Sequence, residues 1–186
     1  MIVLAHDPVV TDRNRHDHEI AKCTADKLAE IDLGAGQGLP RLEDLVNCAL
    51  EARGSVMADI KVDGHEEKIS EILAALPPSR KIVAGAGDEG RRRFKEIDPE
   101  IPLSLTVGRS GEEALLRRWN LIDTGAVTFE YPLLTQERIA ELHHRGIQVF
   151  AWTVDQPEMM EELAERGVDG LISNRPDLLC EIFKNS

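Results

Sequence analysis

A few places in this 186-residue sequence combine side chains that can move a proton or neutralise a phosphate. In Met57-Ala58-Asp59-Ile60-Lys61, the period of two along a strand puts Asp59 and Lys61 on one face, a carboxylate beside an ammonium. That pair suits a metal ligand next to a phosphate-binding cation, and an incidental ion pair at a solvent-facing strand end is the simpler alternative. His6-Asp7 follows the apolar stretch Ile2 to Ala5, so the imidazole stands where an acid or base near neutral pH could act. Trp152 alternates with Phe150 in Val149 to Val154, which leaves a core role and a substrate wall both open.

Other groups have plainer readings. His16-Asp17-His18 places two imidazoles on alternate residues of a polar stretch, enough for adventitious metal. His143-His144-Arg145 closes a helix, where cations complement the negative end of the dipole. Arg91-Arg92-Arg93 reads as a solvated helix face, and Glu130 as a rim charge at a strand end.

The elements that must position these residues alternate from residue 40 onward between short β-branched runs and amphipathic stretches, the pattern of βα units on a parallel sheet. Strands are expected at Ser55 to Val62, Lys81 to Ala86, Leu103 to Val107, Ala126 to Glu130, Ile147 to Val154 and Gly170 to Ser173, with a short one at Ile2 to Ala5. A polar loop is expected from Asp7 to Leu39. Helices are expected at Pro40 to Arg53 with Leu42, Leu45, Val46, Ala49 and Leu50 inward, at Glu66 to Leu76, at Asp88 to Ile97 and at Gly111 to Trp119. Thr135 is expected to cap a helix ending at His144, Asp155 and Glu158 to form a capping box on the next, and Pro176 to Phe183 to close the chain. Six βα units point to a (β/α) barrel two strands short of eight, with chemistry at the carboxyl ends of the strands.

Composition narrows the function. Lys and Arg number 22 against 34 Asp and Glu, a net charge of −12, which disfavours nucleic acid and anionic membrane surfaces. The mean hydropathy is −0.26 and no apolar run approaches the roughly 18 to 20 residues of a membrane span. Cys23, Cys48 and Cys180 show no zinc or paired spacing, and read as small buried thiols of a cytoplasmic protein. GxxxxGK[ST] is absent and Gly85-Ala86-Gly87 is read as too short a glycine run for a phosphate cradle, so no dinucleotide or P-loop fold is expected.

Taken in order, the motifs resemble the glycerophosphodiester phosphodiesterase family. Val3-Leu4-Ala5-His6-Asp7-Pro8 with Thr11-Asp12-Arg13 is similar to its His-Asp strand end, and Leu39-Pro40-Arg41-Leu42-Glu43-Asp44-Leu45 to its proline-led helix. Asp59-Ile60-Lys61 stands where the family has Glu-Ile-Lys. Trp152-Thr153-Val154-Asp155 and Gly167 to Pro176 resemble its closing signature.

The resemblance implies an α/β, TIM-barrel-like single domain over residues 1–186. It implies hydrolysis of a glycerophosphodiester to an alcohol and glycerol 3-phosphate by a metal-assisted acid/base mechanism. His6 would transfer a proton to the leaving alkoxide, Asp59 would help bind Ca²⁺ or Mg²⁺, and Lys61 with Trp152 would hold the substrate. The chain begins after the family's first β–α–β, which carries a histidine, an arginine and two carboxylates. The expectation is therefore an N-terminally truncated, incomplete barrel, a weakly held cation and low activity of this chain alone. Its open edges would be covered by a second copy, by Ile2 to Ala5, or by a segment outside this reading frame. A non-catalytic phosphate-ligand-binding or assembly protein is the alternative.

Overall fold

The computed structural model describes residues 1–109 and 124–184, and the chain forms two compact units. The first takes Met1–Met57, Lys61–Lys81 and Ala86–Ile101; the second takes Ala58–Ile60, Ile82–Gly85 and the chain from Pro102. The expected helix at Gly111 to Trp119 lies outside the described residues.

In the first unit the stretch expected to be a polar loop carries an antiparallel hairpin of β1 (Val9–Thr11) and β2 (Asp17–Glu19) and a short helix α1 (Ala25–Glu30). The Thr24 hydroxyl accepts the Lys27 N–H and opens α1. Ile2 to Ala5 does not form a strand. It makes one antiparallel bridge, Val3 to Arg41, because the Leu4 N–H and the Ile2 carbonyl pair with Pro40 and Leu42. Helices α2 (Leu42–Glu51), α3 (Glu66–Leu73) and α4 (Asp88–Ile97) follow. α2 buries Leu42, Val46 and Ala49, but Leu45 and Leu50 remain exposed, so its buried stripe is narrower than the apolar pattern suggests. The Arg80 guanidinium donates to the carbonyls of Ala49 and Gly54, satisfying groups that the end of α2 leaves unpaired. On α4, Phe94 faces the core and Arg93 reaches Glu67 of α3. Arg91 corrects the reading of a solvated arginine face, since it is 1% exposed, whereas Arg92 pairs with Glu89 on the surface.

Strands β3 (Val56–Asp59) and β4 (Lys81–Ala84) pair with each other and give their carboxyl ends to the second unit. There β5 (Ser104–Val107), β6 (Ala126–Glu130), β7 (Gln148–Trp152) and β8 (Gly170–Leu171) form a parallel sheet in chain order, with Ala126 beside Ser104 and Gln148, and Phe150 beside Gly170. A parallel bridge from Val83 to Leu103 joins β4 to this sheet. All six expected strands of the row are present. Ala126, Val127, Thr128 and Phe129 of β6 are all buried, as in a strand covered on both faces.

Helices α5 (Gln136–His144), α6 (Pro157–Glu165) and α7 (Pro176–Ile182) complete the βα pattern. Ile139, Leu142, Met160 and Leu163 from α5 and α6 pack with Val127, Phe129, Val149 and Ala151 from the sheet. Each fully buried aliphatic side chain there contributes about 1.5–3 kcal/mol. Thr135 caps α5 by accepting the Arg138 N–H, as its spacing predicts. The expected capping box on α6 does not form. Gln156 occupies the cap position without a side-chain bond, because the Asp155 carboxylate is committed to Ser173 and Asn174.

Candidate active site

Parallel strands bring their carboxyl ends to one edge, so the second unit collects there the last residues of its strands and the loops that follow. Asp59 ends β3. A Cβ placed on Gly85, just past β4, would stand 2.1 Å from the Asp59 Oδ1 and 2.7 Å from the Ile60 carbonyl oxygen. The Asp59 carboxylate therefore lies directly over the Gly85 backbone. Gly85 also has φ +74°, a conformation that side chains beyond glycine resist. Sequence reasoning gave Gly85 no role, although Gly85, Gly87 and Gly90 carry a GxGxxG spacing between β4 and α4 that marks a close backbone approach.

Glu130 ends β6 as more than a rim charge. Its Oε1 lies 2.9 Å from the Arg109 Nε, and its Oε2 accepts the Arg109 N–H at 3.1 Å. Trp152, opposite it on β7, is half-buried. Its Cη2 would lie 3.7 Å from a Cβ on Gly108, an ordinary contact, so the ring runs alongside the Gly108 backbone. The indole Nε1 is buried without a hydrogen-bond partner among the described residues. Trp152 therefore stands half-buried at the carboxyl edge, beside Glu130 and Gly108.

The loop after β7 is fixed by Asp155. Its Oδ1 accepts the Ser173 hydroxyl at 2.9 Å and the Asn174 N–H at 2.8 Å, and its Oδ2 accepts the Asn174 side-chain amide at 3.1 Å. Those donations from Asn174, with a smaller one from Ser173, hold the carboxyl below the usual aspartate range. Beside it a cavity of about 200 Å³ is lined by Tyr131, Thr153, Val154, Asp155, Gln156 and Met159.

Of the other sequence candidates, Asp59 and Trp152 lie in the second unit and His6 and Lys61 in the first. Lys61 is exposed just past β3. The His6 side chain is 88% exposed, with Nδ1 3.0 Å from the Asp7 carboxylate, which leaves Nε2 open to solvent. His16 and His18 converge on one oxygen of Asp12, at 3.3 and 3.0 Å. Backbone donation from His16, then the His18 ring, depresses the Asp12 carboxyl strongly. His143 pairs with Asp169 at 2.8 Å rather than standing as an unpaired helix-end cation. The three cysteines are free thiols. Cys48 and Cys180 are exposed, which corrects the reading of all three as buried.

Among the described residues no three His, Cys, Asp or Glu side chains are grouped so as to hold a metal ion. Asp59 is the carboxylate over Gly85, and Glu130 is engaged by Arg109. The carboxylates and imidazoles of the described residues do not by themselves fit a divalent cation.

Residues 91–178 match the glycerophosphoryl diester phosphodiesterase family model. The Mycobacterium tuberculosis protein named probable glycerophosphodiester phosphodiesterase 2 is 30% identical over 83% of this chain. Both likenesses are to the glycerophosphoryl diester phosphodiesterase family. The chain spans 63% of the length of that mycobacterial relative. A glycerophosphodiester phosphodiesterase of Caldanaerobacter subterraneus is 22% identical over 98% of this chain and 80% of its own length. A phosphodiesterase of Oleispira antarctica, solved with the product sn-glycerol-3-phosphate, superposes with a TM-score of 0.80 at 18% identity, over 98% of this chain and 79% of that one. The fold is accordingly α/β and TIM-barrel-like, with the described strand row left unclosed.

Proposed function

We propose that this chain recognises glycerophosphodiesters and their product glycerol 3-phosphate, as a phosphoric diester hydrolase domain of low intrinsic turnover. The observation that carries the reading is the carboxyl edge bearing Asp59, Glu130 and Trp152, in a chain 30% identical to a relative named for this activity. The product complex of the Oleispira antarctica protein supports the ligand class.

A phosphodiester is an anion that repels nucleophiles and leaves a poorly departing alkoxide, so a site must neutralise charge and deliver a proton. Lys61 supplies the ammonium for the phosphate. His6 supplies the proton from Nε2, its Nδ1 being held by Asp7. Trp152 forms a wall of the substrate site, and Asp59 remains the candidate carboxylate toward a divalent cation. Among the described residues no companion donors are grouped with it, and low turnover is expected on that ground. The same shortage favours, as a second reading, a non-catalytic binder of phosphate esters.

The three free thiols fit a reducing compartment such as the cytoplasm, and no helix among the described residues is long and apolar enough to cross a membrane. Release of glycerol 3-phosphate from glycerophosphocholine, with Ca²⁺ or Mg²⁺ supplied, tests the reading. Slow, cation-stimulated release abolished by His6→Ala supports hydrolysis. Binding without release supports the second reading, and neither binding nor release ends both.

A further inference from the structure

The cavity beside Asp155 has no part in the roles assigned above, yet its walls are unusually constrained. Thr153, Val154 and Asp155 come from the loop after β7, Gln156 and Met159 from the start of α6, and Tyr131 from the segment after β6. Two anchors fix the first of these. The Val154 N–H donates to the Ile172 carbonyl at 2.9 Å, and Val154 itself is 1% exposed. One residue on, the Asp155 carboxylate takes three hydrogen bonds from Ser173 and Asn174. The Ser173 Oγ in turn accepts the Arg175 N–H at 2.9 Å, so the clasp continues into the turn that starts α7. A single carboxylate thus ties the loop after β7 to the loop after β8, and does so at the cavity wall. The cavity is smaller than the several hundred Å³ that drug-sized ligands need. Its lining offers hydroxyls from Thr153 and Tyr131 and the amide of Gln156, groups that match a short hydroxyl-bearing carbon chain.

We propose that Asp155 is a positioning residue whose clasp on Ser173 and Asn174 shapes this cavity as the seat for the hydroxyl-bearing carbon chain of a small phosphate ester. This deepens, and rests on, the reading of the chain as a binder of glycerol phosphate esters. Asp155 need not touch the ligand; it acts by holding Thr153 to Gln156 in place. The consequence is selective. Loss of the clasp weakens glycerol 3-phosphate, which has carbons and hydroxyls to seat, and spares inorganic phosphate, which has none.

Calorimetry with both probes on the full chain tests it. Wild type is expected to prefer glycerol 3-phosphate over inorganic phosphate, and Asp155→Ala to lower affinity for glycerol 3-phosphate by about tenfold or more while changing phosphate affinity by less than about threefold. Asp155→Asn keeps an acceptor oxygen for Ser173 and the Asn174 N–H, and a turned Asn174 amide accepts from the new NH2, so this variant is expected to keep most of the preference. If Asp155→Ala does not fold, Ser173→Ala removes one of the three bonds and is expected to show the same selective loss at smaller size. Equal loss for both probes or no loss in Asp155→Ala, or a selective loss in Asp155→Asn as large as in Asp155→Ala, overturns the positioning role and leaves the proposed function standing. A wild-type chain that binds neither probe overturns both.

Discussion

Asp155 shows how one carboxylate is spent on geometry rather than on a helix cap. Its carboxyl titrates below its unfolded value because Asn174 and Ser173 donate to the ionised form. A depressed folded pKa contributes stability that is fully present above the unfolded pKa, about 3.9, and is lost as pH falls through the folded value. Thermal melts of wild type and Asp155→Asn from pH 3 to 7 are therefore expected to differ most above about pH 4.5 and to converge toward pH 3. A gap that widens on acidification would contradict the clasp. Sequence alone made Asp155 a cap candidate because Glu158 lies three residues on, and the competing partners lie 18 and 19 residues away, where no local pattern points. His6, Asp59, Lys61 and Trp152 were legible as residue types at strand ends. The Arg109 pairing of Glu130 and the seat of Asp59 over Gly85 were not, since both arise from strands meeting across the sheet.

Elements were the most legible level. Hydrophobic spacing located the three helices after β6 and every strand of the parallel row, because each has one period to satisfy and short connections. The spacing failed where burial is decided by neighbours. Leu45 and Leu50 belong to the apolar pattern of α2 but flank its buried stripe, and Ile2 to Ala5 is apolar yet finds one bridge instead of a ladder. Caps behave as local chemistry: Thr135→Ala is expected to destabilise the chain by about 1 kcal/mol, read from denaturant unfolding. Gly85→Ala is expected to lower stability by about 2 kcal/mol or more, since the new Cβ meets the Asp59 carboxylate and the Ile60 carbonyl at positive φ. Gly125→Ala is the control, with nothing within 4 Å of its Cβ, and is expected to change stability by less than about 1 kcal/mol. Similar melting midpoints for both glycine variants would contradict the seat at the β3 and β4 ends.

At the scale of the whole molecule, charge and strand order set what the chain can meet. Its net charge of −12 opposes anionic ligands at long range, so recognition of a phosphate ester must depend on local cations, and Lys61 is the one assigned that task. Among the described residues β3 pairs only with β4 and β8 only with β7, and unpaired strand edges invite further pairing. Sedimentation over a concentration series is accordingly expected to show self-association, and a single monomeric species at all concentrations would contradict edge pairing between copies. The most direct check of the functional account is titration of glycerol 3-phosphate into wild type and Lys61→Ala. The account predicts saturable binding to wild type that Lys61→Ala weakens by about tenfold or more; absence of binding to wild type, or equal affinity in the two proteins, would contradict it.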